Sequence, residues 1–151
     1  MGDIISGYNI TDGSMEPLQL AIIAGLIKPP DEVFMYDDRL ESIPYDENTS
    51  LAAITVDSFS ARRAYEIASE FRKRNVKVIL GGLHVSLLPG EAEEYADAVV
   101  IGDVEPIWDQ IMIDFKTGKL QKTYQAPFGH PQEGCFPDRT IFKGKNIYLF
   151  P

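Results

Sequence analysis

The chain has 151 residues, 44% of them hydrophobic, and a formal net charge of -9, which suits one packed domain and argues against a nucleic-acid backbone or an anionic membrane as partner. Its single cysteine, Cys135, excludes an internal disulfide and any multi-cysteine zinc or iron–sulfur site within these residues. No apolar run is long enough to span a bilayer and no secretory signal opens the chain, so a cytoplasmic protein is expected.

Asp3 to Ile10 is ambiguous, with Ile4, Ile5, Tyr8 and Ile10 compatible with a weak first strand. Thr11-Asp12-Gly13-Ser14 is loop chemistry. A helix is predicted from about Ser14, with Pro17 in its first turn. Leu18, Ala21, Ile22, Gly25 and Leu26 repeat at helical spacing, and Lys28-Pro29-Pro30 stops it. Glu32 to Tyr36 reads as a second strand, with Asp37-Asp38 at its end as a loop or helix cap. Ser42 to Ser50 is a polar loop.

Leu51 to Val56 is the strand with the most core character, and Asp57-Ser58-Phe59-Ser60 follows it. A helix is expected from about Ala61 to Arg74, with Tyr65, Ala68 and Phe71 on its inner face and its basic residues solvated. Val76 to Leu80 is the next strand and ends in Gly81-Gly82. Pro89 to Tyr95 reads as a short helix and Ala98 to Ile101 as a short strand. Glu105 to Phe115 is amphipathic, with Ile107, Trp108, Ile111, Met112 and Phe115 inward and Gly118 as its stop. Strands alternating with helices call for a parallel α/β sheet covered on both faces. From Leu120 onward no period is sustained, which suggests a domain over 1–119 and a linker over 120–151. The apolar ending Asn146 to Pro151 suggests a cut at or within the next domain's first strand.

Several chemistries lack their residues. No G-x-G-x-x-G follows a strand, and no G-x-x-x-x-G-K-[ST] or G-x-S-x-G occurs. His84 and His130 lie far apart without spaced partners, so no metal site is expected. A phospho-acceptor receiver domain needs an acidic pair, an Asp and a Lys at successive strand ends. Of these only Asp57 stands in place.

Three loops should converge at the carboxyl edge of the sheet, where ligands of open α/β folds bind. They contribute Ser58, Phe59 and Ser60; Gly81, Gly82, Leu83, His84, Val85 and Ser86; and Gly102, Asp103 and Glu105. Glycines and small hydroxyls suit noncovalent holding of a large, amide-rich ligand. No base is paired with a nucleophile, so no catalytic residue is assigned.

Gly81-Gly82-Leu83-His84-Val85-Ser86-Leu87-Leu88-Pro89 resembles the G-G-x-H-x-[ST]-x-x-P loop of the cobalamin-binding domain in cobalamin-dependent radical S-adenosylmethionine enzymes. Pro17-Leu18-Gln19-Leu20-Ala21, Asp57 to Ser60 with Arg63-Ala64-Tyr65, Gly102-Asp103-Val104-Glu105, and Pro137-Asp138-Arg139 resemble further segments of that family, in order. The resemblance implies a flavodoxin-like, Rossmann-type doubly wound parallel sheet of about five strands. It implies cobalamin with its lower tail at the sheet edge, lined by the residues of the three loops. The hydroxyls of Ser58, Ser60 and Ser86 would then bond the tail phosphate, ribose or side amides.

Two departures qualify it. The D-x-H-x-x-G of methionine-synthase-like relatives is absent, which implies base-off binding without a histidine ligand to cobalt. The C-x-x-x-C-x-x-C that would hold a four-iron four-sulfur cluster beside S-adenosylmethionine is also missing, and would lie beyond Pro151. This chain alone is therefore not expected to perform radical chemistry: it would bind cobalamin as the N-terminal domain of a methyltransferase or an oxidative cyclase, beside a C-terminal catalytic domain of the same chain. The alternative is a regulatory module that uses the same sheet edge for another ligand or a partner protein. His84 reads either as a loop histidine capping backbone groups or as a cofactor contact. Glu105 reads either as a first-turn acid or as a ligand contact, and Asp103 is equally open. Phe59 reads either as packing under the ligand or as a half-exposed loop aromatic.

Overall fold

The computed structural model describes residues 17–127 and 135–143. The expected strand before Ile10, the helix start near Ser14, His130 and the segment Asn146 to Pro151 lie outside the described residues. The chain forms two compact units: Tyr45–Cys135, and the segments Met1–Pro44 and Phe136–Pro151 taken together.

In the smaller unit, α1 (Leu18–Leu26) buries Ala21 and Ala24. Ala21 packs with Met35 and with Phe142, which closes a 3-10 turn over Arg139–Phe142. The Asp138 N–H donates to the Ala21 carbonyl (2.8 Å), so the turn is tied to the helix through backbone. Lys28 to Pro30 ends the helix as expected. Glu32 to Tyr36 is not a strand: it has no ladder partner among the described residues, and Val33 and Phe34 are exposed. Asp37 is buried beyond it and receives two guanidinium hydrogen bonds from Arg39 (2.8 and 2.6 Å). The Arg39 N–H also donates to Asp37 Oδ1 (3.1 Å), closing a side-chain turn of the kind Asp favours.

The larger unit is a four-stranded sheet in the order β1-β2-β3-β4, every neighbouring pair parallel. Its strands are β1 (Leu51–Thr55), β2 (Lys77–Gly81), β3 (Ala98–Ile101) and β4 (Thr123–Gln125). Between β1 and β2 runs α2 (Ala61–Lys73). Two short helices, α3 (Leu83–Leu87) and α4 (Pro89–Ala92), connect β2 to β3. A 3-10 turn (Glu105–Ile107) leads into α5 (Trp108–Lys116), which precedes β4. This is a flavodoxin-like α/β architecture. Val78, Ile79 and Leu80 are buried in succession, so both faces of β2 are covered, as parallel strands require. The inner stripe of α2 is Ala61, Ala64, Tyr65, Ile67, Ala68 and Phe71, with Arg and Glu on the opposite side. Trp108 and Ile111 of α5 are buried as their spacing predicts, whereas Phe115 is half-buried.

In this unit three more elements differ from the sequence reading. The helix at Pro89 is shorter than expected, and α3 precedes it inside the stretch read as a loop. The fourth strand lies in the segment read as aperiodic. Tyr124 is the one buried residue of β4, and a three-residue strand carries too little alternation to register as a pattern. The described sheet therefore has four strands rather than about five.

The amino end of β2 is held by Asp97. Its carboxylate accepts from the Val78 N–H (3.0 Å) and the Lys77 ammonium (2.8 Å), while the Asp97 N–H donates to the Val78 carbonyl (2.9 Å). Partial burial would raise the Asp97 pKa, but Lys77, the Val78 N–H and Arg72 together hold it below the ordinary range. Asp97→Ala should cost about 1.5–3 kcal/mol, the scale of a hydrogen bond to a charged group, measured by urea denaturation.

Candidate functional site

At the carboxyl edge of the sheet the backbone itself draws the loops together. The Val56 N–H donates to the Gly81 carbonyl (2.8 Å), one residue past β1, and the His84 N–H donates back to the Val56 carbonyl (3.1 Å). Gly82 between them has φ 108 and ψ 179, a conformation reserved for glycine. A Cβ built there would lie 2.8 Å from the Val56 carbonyl oxygen and 2.9 Å from its nitrogen. The second glycine thus exists for the loop's own close packing against β1.

Side chains complete the junction. The Ser86 hydroxyl donates to the Gly82 carbonyl (3.0 Å) and accepts from the Gly102 N–H (3.0 Å), which ties the loop after β3 to α3. The Ser60 hydroxyl donates to the Asp57 carbonyl (3.1 Å) and accepts from the Asp57 N–H (3.1 Å), so it shapes its own loop. Ser58 is exposed and meets His84, whose Nδ1 lies 3.3 Å from Ser58 Oγ. Ser58, Gly82, His84, Ser86 and Gly102 therefore share one rim. Phe59 and Leu83 stand on it 69% and 64% exposed, and Leu87 and Leu88 are exposed beyond them. Gly81 is half-buried, Val85 is fully buried in the core, Asp103 is exposed and Glu105 opens the 3-10 turn.

His84 is buried, and its Nε2 lies 3.3 Å from Glu91 Oε1 on α4. It is a bridge between two elements of the rim. Glu91 is held below the ordinary carboxylate range, first by His84 and then by the Tyr65 phenol. The Tyr65 hydroxyl has no hydrogen-bond partner of normal geometry among the described residues, and its ring stacks on Tyr95 at 4.3 Å. Burial first, and the Glu91 carboxylate second, push the Tyr65 pKa up to about 12. Glu91 and Tyr65 were not legible as site residues. Glu91 stands seven residues after His84, and the break at Leu88-Pro89 hides their adjacency.

A separate open cleft of about 680 Å³ runs along α2, lined by Tyr45, Arg62, Lys73 and Tyr95 among others. Its charges pair within the helix, as Arg62 with Glu66 (3.4 Å) and Lys73 with Glu70 (3.2 Å). Two of its lining residues, Tyr65 and Glu91, also meet His84 of the rim. Among the described residues no three His, Cys, Asp or Glu side chains form a metal-binding group, and no helix is long and apolar enough to cross a membrane.

No protein-family model matches the chain. It is 34% identical over 130 residues to bacteriochlorophyllide d C-8(2)-methyltransferase of Chlorobaculum tepidum, covering 83% of this chain and 29% of that protein. It is 31% identical over 112 residues to bacteriochlorophyllide d C-12(1)-methyltransferase of the same organism, covering 73% of this chain and 25% of that protein. Among solved structures it resembles the N-terminal domain of a Thermotoga maritima protein, at 20% identity and a TM-score of 0.45, over 62% of this chain and 78% of that one. The parallel sheet itself, not this likeness, defines the fold. Over most of its own length, then, the chain is similar to one segment, less than a third, of two bacteriochlorophyllide d methyltransferases.

Proposed function

We propose that this chain is the cobalamin-binding portion of a radical S-adenosylmethionine methyltransferase. The observation that carries the reading is the single rim formed by the three loops. It offers exposed apolar side chains, an exposed glycine at Gly102 and an exposed serine, Ser58, whose oxygen also meets His84, as a bulky, amide-rich ring system needs. The glycine loop that opens α3 lacks the G-x-G-x-x-G and G-x-x-x-x-G-K-[ST] patterns, which speaks against a dinucleotide or a nucleoside triphosphate at the rim. The relatives' names support methyl transfer as the whole protein's chemistry.

When bound, cobalamin supplies a methyl group carried on cobalt. The residues here hold it: Phe59 and Leu83 cover apolar surface, and Ser58 bonds a polar substituent. Ser86 and Gly82 fix the loop that presents them. His84 is engaged by Ser58 and Glu91, in keeping with binding that leaves the metal without a protein ligand. In this reading a C-terminal catalytic domain of the same chain supplies the iron–sulfur cluster, the S-adenosylmethionine site and the choice of methyl acceptor.

The test is retention of hydroxocobalamin after removal of free ligand, read by visible absorbance. Leu83→Asp should weaken retention at least about tenfold, because a charge replaces apolar contact area. Its thermal midpoint should stay within a degree or two of the parent, since the side chain is exposed. Equal retention by the variant would remove the rim from the binding site.

A further inference from the structure

We propose that His84 sets the hydrogen-bond polarity of the Ser58 hydroxyl. With the imidazole neutral, this corner of the rim accepts a hydrogen bond from its ligand. With the imidazole protonated, it donates one.

The reasoning is a count of protons. Glu91 is an ionised carboxylate and can only accept, so the His84 nitrogen facing it, Nε2, must carry hydrogen. A neutral imidazole has one N–H, which leaves Nδ1 as an acceptor. The Ser58 hydroxyl, 3.3 Å from Nδ1, must then donate to it. Its proton points inward and its oxygen lone pairs point out to the rim. One proton taken from solvent makes Nδ1 a donor as well. Ser58 Oγ then accepts from Nδ1, and its own O–H swings outward. The ionisable groups that face His84 are Glu91 on α4 and Tyr65 on α2, with Tyr95 stacked behind Tyr65. The loop before α2 faces it with Ser58. Burial and the Glu91 carboxylate push the Tyr65 pKa up to about 12, so the phenol beside His84 keeps its proton. Only the His84 proton therefore changes the polarity.

The consequence is a chemical preference. With the imidazole neutral, Ser58 selects ligand N–H or O–H groups, such as a corrin side-chain amide or a ribose hydroxyl, and disfavours a phosphate oxygen. The ligand's identity rests on the cobalamin reading; the polarity of Ser58 does not.

Two measurements on this chain separate them. Nitrogen-15 NMR of the histidine rings should show neutral His84 as the Nε2–H tautomer, with Nδ1 shifted by an accepted hydrogen bond that Ser58→Ala abolishes. An Nδ1–H tautomer overturns the inference whatever binds. Hydroxocobalamin should bind at least about fivefold more tightly when the ring nitrogen shifts report a neutral His84 than when they report a protonated one, one hydrogen bond's worth, and Ser58→Ala should lose that dependence. The same ratio in both proteins also overturns it. No corrin retention in either state overturns the cofactor reading instead, and the tautomer still decides the polarity.

Discussion

Gly82→Ala should destabilise the fold by about 3–4 kcal/mol, measured as a shift of the urea midpoint at unchanged slope. Two costs add. A residue with a Cβ in this region of φ,ψ space costs on the order of 1–3 kcal/mol. The new methyl group would also meet the carbonyl oxygen and nitrogen of Val56 at 2.8 and 2.9 Å. Those atoms are main chain, pinned by hydrogen bonds to Gly81 and His84, so they do not yield as a side-chain tip would. Overpacking of that kind adds roughly 1–3 kcal/mol. Relief comes only by breaking the His84 to Val56 bond, which loosens the glycine loop. A bulkier residue such as leucine compounds the clash, so Gly82→Leu reports on folding as much as on ligand binding. A loss under about 1 kcal/mol would mean that the loop has another conformation of nearly equal energy.

The second large effect is expected at Asp114. This buried carboxylate accepts from the Tyr124 hydroxyl (2.8 Å), the Gln110 amide (2.7 Å) and the Gln121 amide (3.1 Å). The Gln121 N–H in turn donates to the Tyr124 hydroxyl (3.0 Å). The knot ties β4 to α5, and its loss should release the short edge strand. Asp114→Ala should lower the thermal midpoint by roughly 10 °C, because several donors lose one shared acceptor.

Tyr124 first, then Gln110, hold the Asp114 carboxyl below its ordinary value. A depressed folded-state pKa stabilises fully above the unfolded value, about 3.9, and the gain fades as pH falls through the folded value. The gap in thermal midpoint between the parent and Asp114→Asn should therefore shrink as pH drops from about 6 to about 3. A gap independent of pH would mean that the charge of Asp114 contributes nothing.

What the sequence revealed follows from how much signal each element carries. β1, β2 and β3 are consecutive apolar runs, and α2 has a full stripe from Ala61 to Phe71, so each was legible by period alone. α3 was not. Its buried positions are His84 and Val85 while Leu83 and Leu87 are exposed, which reverses the polarity a helix reading looks for. The same reversal marks the rim, where apolar side chains face outward. Glu32 to Tyr36 has strand composition, but composition does not supply a neighbour. The three loops of the candidate site were legible because each starts where an apolar run stops. The partner of His84 was not, because only the turn at Leu88-Pro89 brings Glu91 back toward it.

The strand order carries a consequence for how the larger unit comes into being. Among the described residues each strand lies beside the one that precedes it in the chain, with no later strand inserted between earlier ones. A nascent chain leaving the ribosome could lay down each strand against the last as soon as its helix had emerged. Each step closes one helix-containing crossover and requires no more distant pairing, which should favour stepwise growth, with the three-residue edge added last.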